Sequence, residues 1–469
     1  MLRLFSHYVP KSIVLLMLIE LVVLFFSVYA GVYARFYDST NLAHEYELLA
    51  LRSPLELKAG VFAIIMWLSM TAAGLHARSN VDDFSGMMIR IFVSFLLGLG
   101  VIILSYYVYP SIFLGRGVFA FALIVAFFGI LLTRTTFQNL DNHKVFNRRL
   151  LVMGAGSKGR LMESRREFAS KRGYEIIGFV DVDQNEPLVD PDSMLSIESN
   201  LLDLCMENEI DEIVLAMDDR RIGFPLSGLL ECKMKGIVVR DILDSLERIT
   251  GHIELDALHP SSLIFSDGFT KAVSVSYAKR MFDILASLVI LVVTSPVILL
   301  TMLALWLSSL GREPVFYRQI RLGLCDAPFE VMKFRSMRTD AEKDGAQFAR
   351  KKDSRVTLIG AFIRKTRIDE LPQLLNVFKG DMSFIGPRPE RPQFALGFEQ
   401  SIPHYSLRHT VKPGITGWAQ ICYPYGDTEE DTKNKLQYDL YYIKNYSLFL
   451  DMTILFQTVQ VVLFGQGAR

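Results

Sequence analysis

The sequence predicts a mixed membrane protein: four transmembrane helices, a Rossmann-like α/β domain, and an α+β domain entered through one more apolar segment. Three observations predict it. Four apolar runs of near-spanning length open the chain. Strands and helices then alternate after a glycine-rich turn. A fifth apolar run, interrupted by Ser295-Pro296, precedes an irregular region rich in proline, glycine and basic residues. Of the 469 residues 51% are hydrophobic, and the mean hydropathy of +0.29 is too high for a wholly soluble chain. Length alone suggests about three domains, and a net charge of zero singles out no class of partner.

The four opening runs cover approximately residues 13–34, 59–77, 91–110 and 117–133, each near the ~20 residues that cross a hydrocarbon core. They define a membrane domain over 1–140. The first run is long and lacks a small-residue cleavage pattern, so it reads as a retained anchor. It contains Glu20, an ionisable group with either a function or a packing partner on a neighbouring helix. Arg3 and Lys11 precede the first run, and Arg78 and Arg90 lie between the second and third. Arg134, Lys144, Arg148 and Arg149 follow the fourth, whereas Asp38, Glu45, Glu47 and Glu56 offset the basic residues of the first loop. The lysine and arginine bias therefore puts both ends of the four-helix unit in the cytoplasm.

Residues 146–250 read as an α/β unit. "RRLLVMGAGSKGRLM" is a strand, a glycine turn and a helix start, and "YEIIGFVDVD", "DEIVLAMDD" and "GIVVRDI" are further strands. This alternation implies a parallel, doubly wound sheet. A linker with strand character (251–276) leads to a membrane segment at 277–311 and a last domain at 312–469. In the fifth run, Pro296 removes a backbone donor and the Ser295 hydroxyl can bond the freed carbonyl. That break fits a kinked spanning helix and a re-entrant hairpin equally well. Residues 311–369 hold 14 Lys/Arg against 8 Asp/Glu, an excess suited to nucleotide phosphates or anionic lipid. The near-terminal stretch 449–465 is apolar nearly all round, as an interfacial helix or a buried core helix would be.

The four cysteines, Cys205, Cys232, Cys325 and Cys422, show no Cys-x-x-Cys spacing. That argues against a zinc site or a disulfide framework and reads as reduced thiols.

Two stretches are candidates for chemistry. Gly154, Gly156 and Gly159 permit a tight turn and close approach of a pyrophosphate to a helix start, and Asp181 or Asp183 ends the next strand as a ribose ligand would. Short-chain sugar dehydratases and epimerases of this fold use a Tyr-x-x-x-Lys pair, which occurs nowhere in this chain. A structural or regulatory module is the better reading there. The second stretch is "RKTRIDELPQLLNVFKGDMSFIGPRP". Pro372 suits the first turn of a helix ending at Gly380, which puts Asp369 and Glu370 at or just before its N-terminus, where the dipole lowers a carboxylate's pKa. An ionised aspartate is a competent nucleophile toward phosphorus. Glu370 can bind a hard cation such as Mg²⁺, and Arg364 and Arg388 can hold phosphate oxygens, the latter in a rigid Pro-Arg-Pro. From spacing alone, an N-cap with surface ion pairs is the favoured reading.

Many short motifs over residues 279–469 together carry a resemblance. In order they are Lys279-Arg280, the Ser295-Pro296 break, "EPVFYRQIRLG" (313–323), "FEVMKFRSM" (329–337), "RIDELPQLLNV" (367–377), "GDMSFIGPRPE" (380–390) and "VKPGITGWAQ" (411–420). This segment resembles the monotopic bacterial phosphoglycosyl transferases, and the whole chain resembles the large form of that family. These enzymes start exopolysaccharide or O-antigen assembly on undecaprenyl phosphate, like the sugar transferases of exopolysaccharide export clusters.

The resemblance implies that Asp369 attacks the β-phosphate of a UDP-sugar and that Glu370 is its dyad partner, the pair holding Mg²⁺. It implies that Arg364 and Arg388 bind phosphate, that Ser295-Pro296 turns the fifth run into a re-entrant hairpin, and that Lys279 and Arg280 stand at the membrane interface. It implies as partners a UDP-sugar donor, undecaprenyl phosphate, the bilayer and a second copy of the chain, with no nucleic acid. The location it implies is the bacterial inner membrane, with the catalytic domain cytoplasmic. Residues 338–357 align with a mobile loop over the site, either a lid or a plain exposed loop. Lys412, Arg408 and Gln420 are expected near nucleotide or lipid phosphate, unless Trp418 merely packs the fold there. Tyr438, Asp439, Tyr441 and Tyr442 form an aromatic patch suited to the membrane interface. His404 and His409 have no metal-ligand spacing. Two rival readings stand: an NAD-dependent sugar-nucleotide enzyme using the glycine turn, and a membrane scaffold or sensor without catalysis.

Overall fold

The computed structural model describes residues 2–4, 7–9, 11–37, 53–76, 84–142, 147–182, 186–197, 200–219, 224–258, 268–269, 273–341, 355–423, 426 and 428–464. The chain divides into two compact units at Thr250/Gly251.

The first unit opens with helices α1 (Lys11–Arg35), α2 (Leu55–Ala72), α3 (Phe84–Val108) and α4 (Arg116–Asn142). Each is long and apolar enough to cross a membrane. Leu24, Val28, Phe62, Met66, Ile91 and Ala126 are buried, while Leu18, Phe26, Phe92, Phe128 and Leu132 are exposed. An apolar exterior around an apolar interior is what a lipid-facing bundle requires. A Cβ on Gly31 would lie 2.7 Å from Ala122 N, so α1 and α4 meet backbone to backbone there.

Glu20 is fully buried and has partners on two neighbouring segments: His76 Nε2 at 2.6 Å and Arg134 Nε at 2.7 Å. Arg134 also donates to Leu75 O, and Arg90 to Ala73 O. These two arginines, read from sequence as flanking charges, instead turn inward and satisfy carbonyls at the end of α2. Arg78, Lys144, Asp38, Glu45 and Glu47, also used to argue orientation, lie outside the described residues.

The rest of the first unit is a four-stranded parallel sheet, in the order β2-β1-β3-β4. Its strands are β1 (Arg148–Met153), β2 (Tyr174–Val180), β3 (Glu212–Leu215) and β4 (Val238–Asp241). Helix α5 (Ser157–Ser164) follows β1, and α6 (Arg166–Lys171), α7 (Leu201–Glu207), α8 (Leu226–Met234) and α9 (Ile242–Thr250) complete the cover. β1 is buried from Leu150 to Met153, the run expected of a central parallel strand.

The second unit starts earlier than the sequence suggests. Ile253 is buried in its core, Ile253 N–H donates to Gln437 O and Lys433 pairs with Asp256. The start of the expected linker is therefore part of the domain, and the described part of 251–276 contains no strand; residues 259–267 and 270–272 lie outside the described residues. Helix α10 (Val273–Ser308) follows. Its helical turns continue through Ser295-Pro296, with Pro296 inside the helix. The physical reason is local: Pro296 cannot donate to Val292 O, and Ser295 Oγ takes that carbonyl at 2.8 Å.

After α10 an antiparallel ribbon, β5 (Phe316–Leu322) with β6 (Pro328–Phe334), pairs Tyr317 with Lys333. Next come α11 (Leu358–Lys365), a 3-10 turn (Ile368–Glu370), α12 (Gln373–Lys379) and β7 (Ser383–Ile385). Then follow α13 (Pro392–Ser401), β8 (Gly414–Thr416), α14 (Trp418–Cys422), α15 (Glu429–Lys444) and α16 (Leu448–Phe464). β8 pairs with β7 in parallel.

The core joins Tyr405, Trp418, Leu440, Tyr441, Tyr442 and Leu450. This corrects the expected interfacial patch: Asp439, Tyr441 and Tyr442 are buried, because α15 packs between the 405–410 turn and α14 instead of facing lipid. Likewise α16 buries Leu450, Asp451 and Ile454 as a core helix. The stretch expected to cover the site, 338–357, is described only at 338–341 and 355–357.

Candidate active site

The site is built where α12 is spliced to the edge of β6. Asn376 Oδ1 accepts from Met332 N–H at 3.1 Å and its Nδ2 donates to Glu330 O at 2.7 Å. Gly380, at φ 102°, ends α12 as a left-handed cap, and Pro372 occupies its N-cap. This clasp sets Lys333, one residue past Met332, opposite the turn that carries Asp369 and Glu370. Arg367 opens that turn at φ 60°, a left-handed conformation unusual for a non-glycine residue.

The two carboxylates are treated differently. Glu370 Oε1 lies 3.1 Å from Lys333 Nζ and 3.6 Å from both Arg367 NH1 and Arg388 NH2. Burial alone would raise its pKa, but Lys333, Arg388 and Arg367 outweigh burial and hold it at about 2. Asp369 is 8% exposed, and its Oδ1 is buried without a hydrogen bond among the described residues. Burial first, and the neighbouring Glu370 charge second, push Asp369 up to about 6, against the pull of Lys333, Arg367 and Arg364. The expected lowering by a helix dipole is therefore overturned. Glu370, Leu371 and Pro372 separate Asp369 from the seven-residue α12, and desolvation dominates so short a helix.

Arg388 is held through its backbone. Pro387 and Pro389 have no N–H, yet the carbonyls of 387–390 each have a separate donor. Pro387 O accepts from Gly414 N at 2.9 Å and Arg388 O from Arg408 NH2 at 3.0 Å. Pro389 O accepts from Arg321 NH1 at 3.0 Å and Glu390 O from Leu322 N at 3.0 Å. Arg408 is itself buried against Asp439 Oδ2 at 3.0 Å and Tyr405 OH at 2.6 Å. It is thus a support for the Arg388 backbone, in line with the packing reading that stood beside phosphate contact for this segment.

Other expectations also shift. Lys279 is buried, donating to Ile385 O, Tyr442 OH and Asp451 Oδ2, the last at 2.6 Å. Arg280 caps α12 by donating to Val377 O and Phe378 O. The domain's own carbonyls, Tyr442 and Asp451 take these donors. Lys412 has Arg280, Asp283 and Asp381 as charged neighbours rather than the Asp369 cluster; burial and Arg280 lower its pKa. Trp418 Nε1 donates to Gly251 O, a packing role, and Gln420 Oε1 is buried. His409 pairs with Asp326, and with Glu399 these offer ligand atoms within 4.8 Å of one another. Lys333, Asn376 and Arg321, which hold the Asp369–Glu370 turn and the Pro389 carbonyl in place, are positions that the motifs did not single out. The available signal for Lys333 was its place in "FEVMKFRSM", two residues past the buried Val331 and so on the same face of β6.

In the glycine turn, Gly154 and Gly159 pack against backbone and Asp181 follows β2; Asp183 lies outside the described residues.

Residues 274–465 match the family described as bacterial sugar transferase. The chain is 34% identical over 332 residues to UDP-glucose:undecaprenyl-phosphate glucose-1-phosphate transferase of Escherichia coli (strain K12), covering 68% of each chain. It belongs to the bacterial sugar transferase family. It is also 44% identical over 241 residues to UDP-N-acetylgalactosamine-undecaprenyl-phosphate N-acetylgalactosaminephosphotransferase of Aeromonas hydrophila, over 51% of this chain and 56% of that one. A third relative, undecaprenyl-phosphate glucose phosphotransferase of Komagataeibacter xylinus, is 34% identical over 329 residues, 68% of this chain and 60% of its own length. The chain thus spans less than two thirds of these last two relatives.

Proposed function

We propose that this protein transfers a sugar-1-phosphate from a UDP-sugar to undecaprenyl phosphate, by way of a phosphosugar ester on Asp369, as the first step of exopolysaccharide or lipopolysaccharide repeat assembly. The observation that carries the reading is the contrast within the dyad: Glu370 is locked by three cations, while Asp369 Oδ1 is buried with no described hydrogen-bond donor. An unsolvated, unpartnered carboxylate oxygen is a better nucleophile than a hydrated one.

Asp369 Oδ1 attacks the β-phosphorus of the donor, the bond from that phosphorus to the bridging oxygen breaks, and UMP leaves with the electron pair. A phosphate oxygen of the lipid carrier then attacks the same phosphorus. This releases the Asp369 carboxylate and forms a lipid diphosphate sugar. Lys333, Arg364, Arg367 and Arg388 outnumber the two acids by two charges, which suits a diphosphate substrate. The Asp369 carboxylate, short of a hydrogen-bond partner among the described residues, also fits a divalent cation that its second oxygen and Glu370 would hold. Mg²⁺ bound there supplies charge neutralisation of the diphosphate.

The reading includes four spanning helices, a Rossmann-like module and a catalytic domain on the cytoplasmic face of the inner membrane, with α10 re-entrant. What supports re-entry is that both ends of α10 meet one domain. Asp283 Oδ1 accepts from Ser383 Oγ and Phe384 N–H, while Ile298, Met302 and Leu305 pack with Phe334 and Ile363. Leu288, Val289, Val292 and Val293 between them are exposed. A helix of 36 residues is about 54 Å long if straight, well beyond a ~30 Å hydrocarbon core. A spanning α10 would require one domain to touch both sides of the bilayer.

The decisive experiment mixes protein with UDP-sugar and no lipid acceptor. We expect UMP release stoichiometric with enzyme and a hexose-phosphate adduct on the peptide containing Asp369. Robust lipid product with no adduct at any time point would remove the covalent step. For topology, Asp340→Cys and Glu430→Cys are expected to react with impermeant reagent only from the cytoplasm; labelling from the other side would mean that α10 spans.

A further inference from the structure

The glycine turn after β1 takes no part in this chemistry, and its own contacts explain why. Asp218, three residues past β3, turns its carboxylate onto the first turn of α5. Oδ2 accepts from Ser157 N–H at 2.7 Å, and Oδ1 accepts from Ser157 Oγ at 2.8 Å and Lys158 N–H at 3.1 Å. Amides at a helix start are the donors that a phosphate would use. Lys158 Nζ, the cation in reach, donates instead to Met217 O at 3.0 Å and Asp218 O at 3.4 Å.

The glycines are accounted for internally as well. Gly154 sits at φ 115°, and a Cβ there would lie 2.5 Å from Ala216 O. A Cβ on Gly159 would lie 2.4 Å from Gly154 O. The missing side chains thus make room for the chain's own backbone. On the β2 side the turn is covered: Leu188 N–H donates to Ala155 O at 2.8 Å, and Val189 is buried in the module's core.

We propose that Asp218 is the resident anion of this turn: its carboxylate latches the β1–α5 turn to the segment after β3, fills the seat of a pyrophosphate, and closes the module to dinucleotides. The fingerprint glycines are here the signature of a latch. This inference is independent of the transferase reading.

The test is hydrogen exchange on the full chain in detergent micelles, following peptides that cover 154–164 and 212–217. In the wild type we expect neither NAD⁺ nor NADP⁺ to slow exchange in the first peptide. In Asp218→Asn we expect that peptide to exchange at least about tenfold faster, having lost a charged acceptor, while 212–217 stays protected. Should Asp218→Asn also unfold the strand peptide, Ser157→Ala, which removes one of the three bonds, is expected to accelerate 154–164 alone. Protection of the wild-type turn by either dinucleotide overturns the proposal, and so does unchanged exchange in both variants.

Discussion

Two turns in this protein bring an acid to a cluster of N–H and cationic donors, and they end in opposite states. At residues 154–159 the acid, Asp218, accepts from Ser157 twice and Lys158 once, and the nearby lysine is drawn off by backbone carbonyls. At residues 367–370 a sacrificial acid, Glu370, engages Lys333, Arg367 and Arg388, and the adjacent Asp369 is left buried with an oxygen that has no hydrogen-bond partner among the described residues. The first arrangement is satisfied and inert. The second holds a carboxylate against its preference for water, the group that the proposed mechanism uses. Donor-rich sequence patterns report that donors exist; whether they are available is decided by a carboxylate elsewhere, in the first case 61 residues along the chain.

The largest effect should come from removing the reactive oxygen. Asp369→Asn keeps shape and removes the nucleophile, and we expect transfer to fall by about 10⁴ or more with UMP release lost and the melting curve little changed. Near-wild-type turnover would return Asp369 to the inert class. Next, Lys333→Met removes the nearest cation from Glu370. We expect a loss of about 10²–10³ in kcat/KM. Because Lys333 lowers the pKa of both acids, the acid limb of the pH profile should also move to higher pH; a loss with no such movement would make Lys333 a packing residue.

On the proposed mechanism Asp369 must be ionised to attack, and burial with the neighbouring Glu370 charge pushes it up to about 6. The kcat/KM should therefore fall about tenfold per unit below that pH and level off above it, while Glu370, at about 2, stays charged throughout. A profile flat down to pH 5 would show that Asp369 is not held protonated by burial.

Much of this was legible in the sequence, and the failures share a cause. Apolar runs of spanning length, the strand–helix alternation of 148–250 and the Pro372-to-Gly380 helix are local patterns, and local geometry follows from them. Lys279, Arg280, Arg90 and Arg134 were read as charges facing water or headgroups, yet all four donate to carbonyls or acids of distant segments. Tyr441 and Tyr442 suited an interface by composition but lie in the core. Asp439 and Arg408 form a buried pair whose consequence, holding the Arg388 carbonyl, is visible only once three separated segments meet. Burial likewise reversed the expected pKa of Asp369. Each miss concerns which side of a residue faces the interior, and that is set by tertiary packing.

The smallest expected effect is the sharpest contrast. Asp218→Asn makes the same chemical change as Asp369→Asn, one carboxylate oxygen to an amide nitrogen, at the other turn. We expect transfer by Asp218→Asn to stay within about twofold of wild type, as for substitutions away from a working site, although its local amides exchange faster. Asp369→Asn should do the reverse, leaving exchange at 154–164 untouched while transfer collapses. If Asp218→Asn instead cut transfer tenfold without loss of protein, the latch would be coupled to catalysis. The two turns would then be parts of one device, and their separation into a satisfied acid and a reactive one would no longer hold.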